Sequence, residues 1–245
     1  MNNQDSGGLV DTLKTILYAV LIALGVRTVA YEPFNIPSGS MFPTLLVGDY
    51  LFVSKFSYGY SKHSLIMSVP LISGRIFAKV PERGDVAVFK KPTDNTTDYI
   101  KRIVGLPGDK IQVINGILNI NGAAVERKRA GVHLVRDYSG NLREIARYIE
   151  TLPNGKEHYI LEESDDEVMD NTAVYSVPEG HVFGMGDNRD NSQDSRYLNE
   201  VGFIPMENLV GRAEFLFFSI DDAAPWQFWK WGSALRPSRF FEGIE

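Results

Sequence analysis

The sequence predicts a mainly β protein: a large β-domain with a smaller β subdomain inserted in it, preceded by one N-terminal transmembrane helix. Three observations predict this. "TILYAVLIALGV" (Thr15–Val26) is a strongly apolar run between Lys14 and Arg27. Beyond residue 35 no stretch keeps a long apolar period of 3.6 residues. Instead, "DYLFVSKF", "GDVAVFKK" and "DYIKRIVG" carry the aromatic and β-branched residues of strands, separated by Gly and Asn turn signals.

The apolar run alone is short for a membrane span, which needs roughly twenty residues. Lys14 and Arg27 can extend their side chains toward headgroups, which stretches the usable segment to residues 13–32. Tyr18 and Tyr31 are then expected toward its two ends, where aromatic rings favour the membrane interface. Residues 1–12 become a short tail and 33–245 the β-domain. The competing reading is a cleaved signal peptide ending at "TVA" (Thr28–Ala30), a poor fit to a small-x-small cleavage site.

In "DYIKRIVG" the strand period places Tyr99, Lys101 and Ile103 on one face and Ile100, Arg102 and Val104 on the other. "IQVINGILNINGAAV" contains Asn115-Gly116 and Asn121-Gly122, two hairpin signals around a short strand. Residues of about 111–180 are more polar and form the predicted insert. Their acidic run "EESDDEVMD" (Glu162–Asp170) reads as a solvated loop. Three tryptophans in "WQFWKWGSALRPSR" (226–239) fit either core packing or an aromatic patch at a membrane interface.

Composition narrows the chemistry. A net charge of −6 argues against a nucleic-acid partner, which needs a basic surface. No cysteine is present, which excludes disulfides, thiol catalysis and Cys-ligated metals. There is no Gly-x-Ser-x-Gly elbow and no Ser-x-x-Lys. His63, His133, His158 and His181 all read as surface residues. No His-Glu-x-x-His occurs, and "DNRDNSQDSR" (Asp187–Arg196) fails the register of a calcium loop, so no metal and no cofactor are expected.

A lysine then remains as a base for a serine nucleophile, provided burial lowers its pKa toward neutrality. "FNIPSGSMFPTLLVGDYLF" (34–52) offers Ser38 and Ser40 on a turn held by Pro37, Gly39 and Pro43. Lys101, mid-strand among apolar and aromatic neighbours, fits the base; an exposed strand lysine is the alternative.

Four segments, "IPSGSMFPTLLVGDYLFVSK" (36–55), "RGDVAVFK" (83–90), "DYIKRIVGLPGDK" (98–110) and "GDNRDNSQDSR" (186–196), resemble the conserved boxes of bacterial type I signal peptidases, in that family's order and roughly its spacing. "GFIPMENLVGRA" (202–213) extends the likeness over most of the chain after residue 31. The resemblance implies a Ser/Lys-dyad endopeptidase, functional as a monomer, that removes signal peptides from exported precursors. It makes Ser40 the nucleophile and Lys101 the general base. Ser38 would contribute to the oxyanion hole and Ser192 would hydrogen-bond the Lys101 amine. Ile36, Pro37, Met41, Leu45, Tyr99 and Ile100 would wall shallow pockets for small substrate residues at −1 and −3. Asp187, Asp194, Arg102 and Arg196 would be structural ion-pair residues.

The implied setting is the bacterial cytoplasmic membrane, with the N-terminus cytoplasmic and the catalytic domain on the outer face. Two features depart from the family pattern: a single apolar segment precedes the serine box where many relatives have two, and "YLNEV" (197–201) lengthens the link after Arg196. Three other readings stay open. One is a self-cleaving repressor with the same dyad, which would need a helical DNA-binding domain. The second is a specialised processing peptidase of conjugal-transfer or organellar type. The third is a non-catalytic, membrane-anchored β binding domain.

Overall fold

The computed structural model describes residues 7–65, 68–136, 141–221 and 226–244. The predicted tail lies partly outside these residues. Gly7–Val29 forms one helix, α1, of 23 residues. At ~1.5 Å per residue it extends about 34 Å, enough for a hydrocarbon layer of ~30 Å. Its Gly8–Val29 stretch is long and apolar enough to cross a membrane, and none of it is buried inside the protein. The helix starts before the apolar run, so Tyr18 sits mid-helix rather than near an end. It also stops short of residue 32. Tyr31 already opens a strand, where its ring meets Phe52, Phe56 and Phe215 edge-on.

The strands in chain order are β1 Tyr31–Asn35, β2 Asp49–Ser54, β3 Tyr60–Ser61, β4 Arg75–Ile76, β5 Val86–Lys90 and β6 Asp98–Gly105. Then come β7 Lys110–Ile114, β8 Ile117–Ile120, β9 Ala123–Ala124, β10 Glu126–Arg136, β11 Leu142–Thr151, β12 Glu157–Glu162 and β13 Tyr175–Ser176. The last are β14 His181–Met185, β15 Ile204–Pro205 and β16 Leu209–Ser219. A seven-stranded antiparallel sheet runs β1-β2-β16-β5-β6-β14-β15. Pro33 lies on β1, an edge strand, where a missing N–H costs no ladder bond.

Both faces of the central strands are covered. Val86 and Val88 of β5 join Ile36, Met41, Leu45 and Leu51 in one core cluster, while Ala87 and Phe89 join Tyr58, Ile103 and Leu209 in another. This is why "VAVF" is continuously apolar instead of alternating.

Between β6 and β14 the chain builds two smaller sheets, β13-β7-β8-β9 and β10-β11-β12. Asn115-Gly116 and Asn121-Gly122 make its tight turns, with φ of 48° and 70°, then 56° and 82°. Left-handed angles at both central residues are those of the primed hairpin turns that Asn-Gly favours. A third core cluster, including Val104, Ile111, Leu118 and Phe183, ties the first of these sheets to the large one. The end of β12 docks on the chain after β14: the Leu161 N–H donates to the Asp187 carbonyl at 2.8 Å.

Several surface expectations are corrected here. His63 and His158 are 4% and 7% exposed. The His63 N–H donates to Ser61 Oγ within a capped turn, and His158 Nε2 sits 3.3 Å from Glu150. Burial lowers both histidine pKa values, with Lys62 adding to it at His63 and Arg102 at His158. The acidic run is solvated only between its ends, for Glu162 and Asp170 are buried. Trp226 and Trp229 are exposed beside Phe228, which sets core packing aside for both. The Trp231 ring meets Phe218 at a 57° tilt, with centroids 5.7 Å apart.

Candidate active site

The serine segment is fixed by its apolar residues. Ile36, Met41 and Leu45 are buried in one core cluster, and the chain between them crosses the protein surface. Ser38 is extended, and Gly39–Met41 form a single 3-10 turn. The turn is held from the far side of the site. The Asn188 N–H donates to the Ser40 carbonyl at 3.1 Å, and Asn188 Nδ2 to the Gly39 carbonyl at 3.0 Å. Ser40 Oγ therefore comes from a backbone anchored on both faces.

Lys101 comes from the middle of β6, paired with Ala87 of β5. Its Nζ lies 2.7 Å from Ser40 Oγ, across 61 residues of sequence. The side chain is 3% exposed, so the exposed-lysine reading is excluded. Burial pushes its pKa down from 10.5 to about 8; Asp194 and Asp187 pull upward, and Arg196 adds to the depression. The Tyr99 ring stands 5.5 Å from the amine. An amine so placed is partly neutral near pH 8 and within reach of the serine proton.

Two buried ion pairs frame this contact. Arg102 Nε and Nη2 both donate to the Asp187 carboxylate at 2.8 Å, and Nη1 donates to the Gly84 carbonyl at 2.8 Å. Thr44, on the serine segment, donates to Asp187 Oδ2 at 2.6 Å. Arg196 likewise grips Asp194 through Nε and Nη2, both at 2.9 Å. Asp194 Oδ2 also accepts the Gly186 N–H at 3.0 Å. Burial raises the pKa of each aspartate, and its arginine more than offsets that, holding both carboxyls below their usual range.

Ser38 Oγ lies 3.5 Å from Ser40 Oγ. Ser192 is close by but placed otherwise than predicted: its hydroxyl is buried without a hydrogen-bond partner among the described residues, and the Ser192–Lys101 bond is not made. Among the residues expected to wall substrate pockets, Ile36, Met41 and Leu45 are fully buried, Ile100 and Tyr99 are half-buried, and Pro37 is exposed. The Tyr99 hydroxyl donates to Gln193 Oε1 at 2.7 Å. Cavities of about 590 and 620 Å³ lie beside the site, and neither is lined by Ser40 or Lys101. Ser40 is half-buried and Lys101 buried.

Sequence reasoning passed over Asn188, Thr44, Gln193 and Gly186. Thr44, Asn188 and Gln193 have partners far away in the chain, and their one signal is that each is an unassigned polar residue inside a recognised box. Gly186 is tightly enclosed by the site. A Cβ there would stand 2.2 Å from Ser192 Oγ and 2.5 Å from the Ser40 carbonyl oxygen. The second contact is backbone and cannot rotate away. Gly186→Ala is therefore expected to cost about 1–3 kcal/mol of stability, as overpacking does, and to displace Ser40. Thermal melting and precursor cleavage by the purified variant check both effects.

A model of the family described as signal peptidase, peptidase S26, matches residues 9–218. The chain belongs to the signal peptidase family. It is 45% identical over 214 residues to the signal peptidase I of Rickettsia canadensis (strain McKiel), covering 84% of this chain and 78% of that one. To the signal peptidase I of Rickettsia typhi it is 42% identical over 229 residues, covering 89% and 84%. A crystal structure of a signal peptidase I from Enterococcus faecalis V583 aligns over 55% of this chain and 97% of its own, at 26% identity and a TM-score of 0.31. This signal peptidase family member is thus a peptidase, with the Ser40–Lys101 contact lying inside the matched residues.

Proposed function

We propose that the chain is a membrane-anchored serine endopeptidase that removes N-terminal signal peptides from exported precursors, using Ser40 and Lys101 as a dyad. The observation that carries this reading is the 2.7 Å contact between a hydroxyl and an amine buried at 3% exposure. Neutral Lys101 takes the Ser40 proton as Oγ attacks the scissile carbonyl. The resulting ammonium gives that proton to the leaving amine, and an acyl-enzyme remains. Lys101 then takes a proton from water, the hydroxide attacks the ester, and the proton returns to Ser40 Oγ.

Ser38 Oγ and the Ser40 backbone N–H receive the oxyanion as charge develops. Ser38→Ala is expected to lower kcat by about 10²-fold with little change in KM, because the donor acts on the transition state. Steady-state kinetics on a synthetic precursor peptide measure that split.

The pH profile follows from the pKa of about 8. Only the amine accepts a proton, so kcat/KM should rise with pH through about 8 and fall tenfold per unit well below it. A profile that climbs toward acid would remove Lys101 from the role of base. The folding linkage has the same sign. Between about pH 8 and 10.5 the unfolded chain binds a proton that the folded chain does not, so this group's contribution to stability rises with pH across that window.

Substrates are read as extended segments with small residues at −1 and −3, as in Ala-x-Ala. Such a segment can lie as an added strand against the open surface beside Ser40, with Pro37, Tyr99 and Ile100 near its side chains. The helix Gly7–Val29 would anchor the enzyme with the N-terminus cytoplasmic, in the bacterial cytoplasmic membrane. Nine residues from Tyr31 to Ser40 reach at most about 30 Å, which keeps the site near the membrane where precursors emerge. A precursor panel tests the whole reading: sites with Ala at −1 and −3 are cut, and those with Phe or Lys there are not. Cleavage of a single dedicated precursor would favour a specialised peptidase.

A further inference from the structure

Glu162 ends β12, Asp170 closes the acidic run, and Asp190 lies in the short turn Arg189–Asn191, two residues before Ser192. The two ends of one acidic run and the turn after β14 thus bring carboxylates together. One oxygen from each lies within 4.8 Å of the others. Glu162 and Asp170 are 2% and 0% exposed. Among the described residues, neither oxygen of Glu162 has a hydrogen-bond partner, and neither has Oδ1 of Asp170.

The loop backbone turns these groups inward. Asp190 Oδ2 accepts the N–H groups of Glu163 and Ser164 at 2.6 and 3.3 Å, and Asp170 Oδ2 accepts the Glu167 N–H at 2.6 Å. The nearby cations are engaged elsewhere. Arg189 is bound to Glu150 at 2.5 and 2.8 Å, and Arg196 to Asp194. Arg127 bonds Asp165 at 2.9 Å and comes only to 4.0 Å from Glu162. Three carboxylates, two of them buried with bare oxygens, are left with Arg127 at 4.0 Å as their one cation within ion-pair reach among the described residues. Two buried carboxylates cannot both ionise side by side without a counter-charge in contact.

We propose that Glu162, Asp170 and Asp190 hold a hard divalent cation of the calcium class. All the donors are carboxylate oxygens, without nitrogen or sulfur, which is the ligand set of calcium and magnesium rather than zinc. Calcium accepts six to eight oxygens in irregular arrangements, whereas magnesium demands a near-ideal octahedron, which three carboxylates from a loop and a turn suit less well. The ion would clamp β12 and the acidic loop onto the segment carrying Asp187, Ser192 and Asp194, and so brace the dyad without touching it. The competing occupant is a proton: burial, together with Asp190 and Asp170, raises the Glu162 carboxyl to about 9.

The test uses the full chain in detergent micelles, stripped with a chelator, with calcium chloride as the probe. Saturable binding of one calcium per chain is expected by calorimetry. At a hundredfold excess over Kd, melting should rise by about 5–10 °C. Magnesium at equal concentration should shift it less. Glu162→Gln and Asp170→Asn should melt at or above the wild type in chelator, since repulsion is relieved, and should not respond to calcium. A wild type that ignores calcium at pH 7–8, or shows a shift that magnesium and E162Q reproduce in full, overturns the proposal and leaves the cluster sharing protons.

Discussion

Lys101→Met is expected to abolish precursor cleavage while leaving the chain at least as stable as the parent at pH 7. The two halves of that result come from one fact. A pKa displaced from 10.5 to about 8 by burial corresponds to roughly 3 kcal/mol held against the ammonium form. Methionine keeps much of the side chain's volume against Tyr99 and Gly184 and carries no charge to desolvate. Stability should therefore rise by about 1–3 kcal/mol, the upper end requiring that Met fits without strain. Activity should fall by at least 10⁴-fold, because no other lysine or histidine reaches Ser40 Oγ among the described residues. Ser40→Ala should match it in activity. The double variant should be no worse than either single one, since the two groups act as a unit. Chemical denaturation and cleavage of an Ala-x-Ala precursor read both quantities on the same preparations. Cleavage retained by either variant would remove the dyad and put the chemistry on other residues.

The route from sequence to this pair shows what a chain discloses and what it withholds. The strand through Lys101 and the Asn-Gly hairpins were legible because their signals are local: a period of two and a turn that needs positive φ. The burial of Lys101 was not legible. It depends on the serine segment and Gly184 of β14 closing around the side chain, and contacts from so far along the chain leave no mark in "DYIKRIVG". The same cause explains His63 and His158, polar in their own segments yet enclosed by others. Glu162 and Asp170 went astray for a related reason: charge runs are usually solvated, and the two ends of this one are instead drawn into the protein by β12 and the loop N–H groups. Ser192 was placed through resemblance, and its hydroxyl makes no bond to the amine. A role at Lys101 would therefore require rotation about its side chain when substrate binds.

Asp187→Ala should be the most damaging substitution outside the dyad. Asp187 receives two hydrogen bonds from Arg102 and one from Thr44, so one carboxylate joins the lysine strand, the serine segment and the chain after β14. The residue is 0% exposed and Arg102 is 1% exposed. Removing the aspartate leaves a guanidinium buried with only the Gly84 carbonyl and Thr44 near it, and breaking such a pair costs about 3–5 kcal/mol. That is a large share of a typical domain's net stability, so the melting temperature should fall by roughly 10 °C or more. Removing both charges tests the cause. Asp187→Leu combined with Arg102→Met should recover part of the loss, since no uncompensated charge remains, whereas a purely steric role would make the double variant worse than either single one. Acid should imitate the single substitution. Asp187 titrates below its usual range in the folded chain, so its contribution is present at pH 7 and lost as pH falls through that lowered pKa. Restored stability need not restore cleavage, because Thr44 would no longer be tied to Asp187 and the serine turn would lose one of its holds.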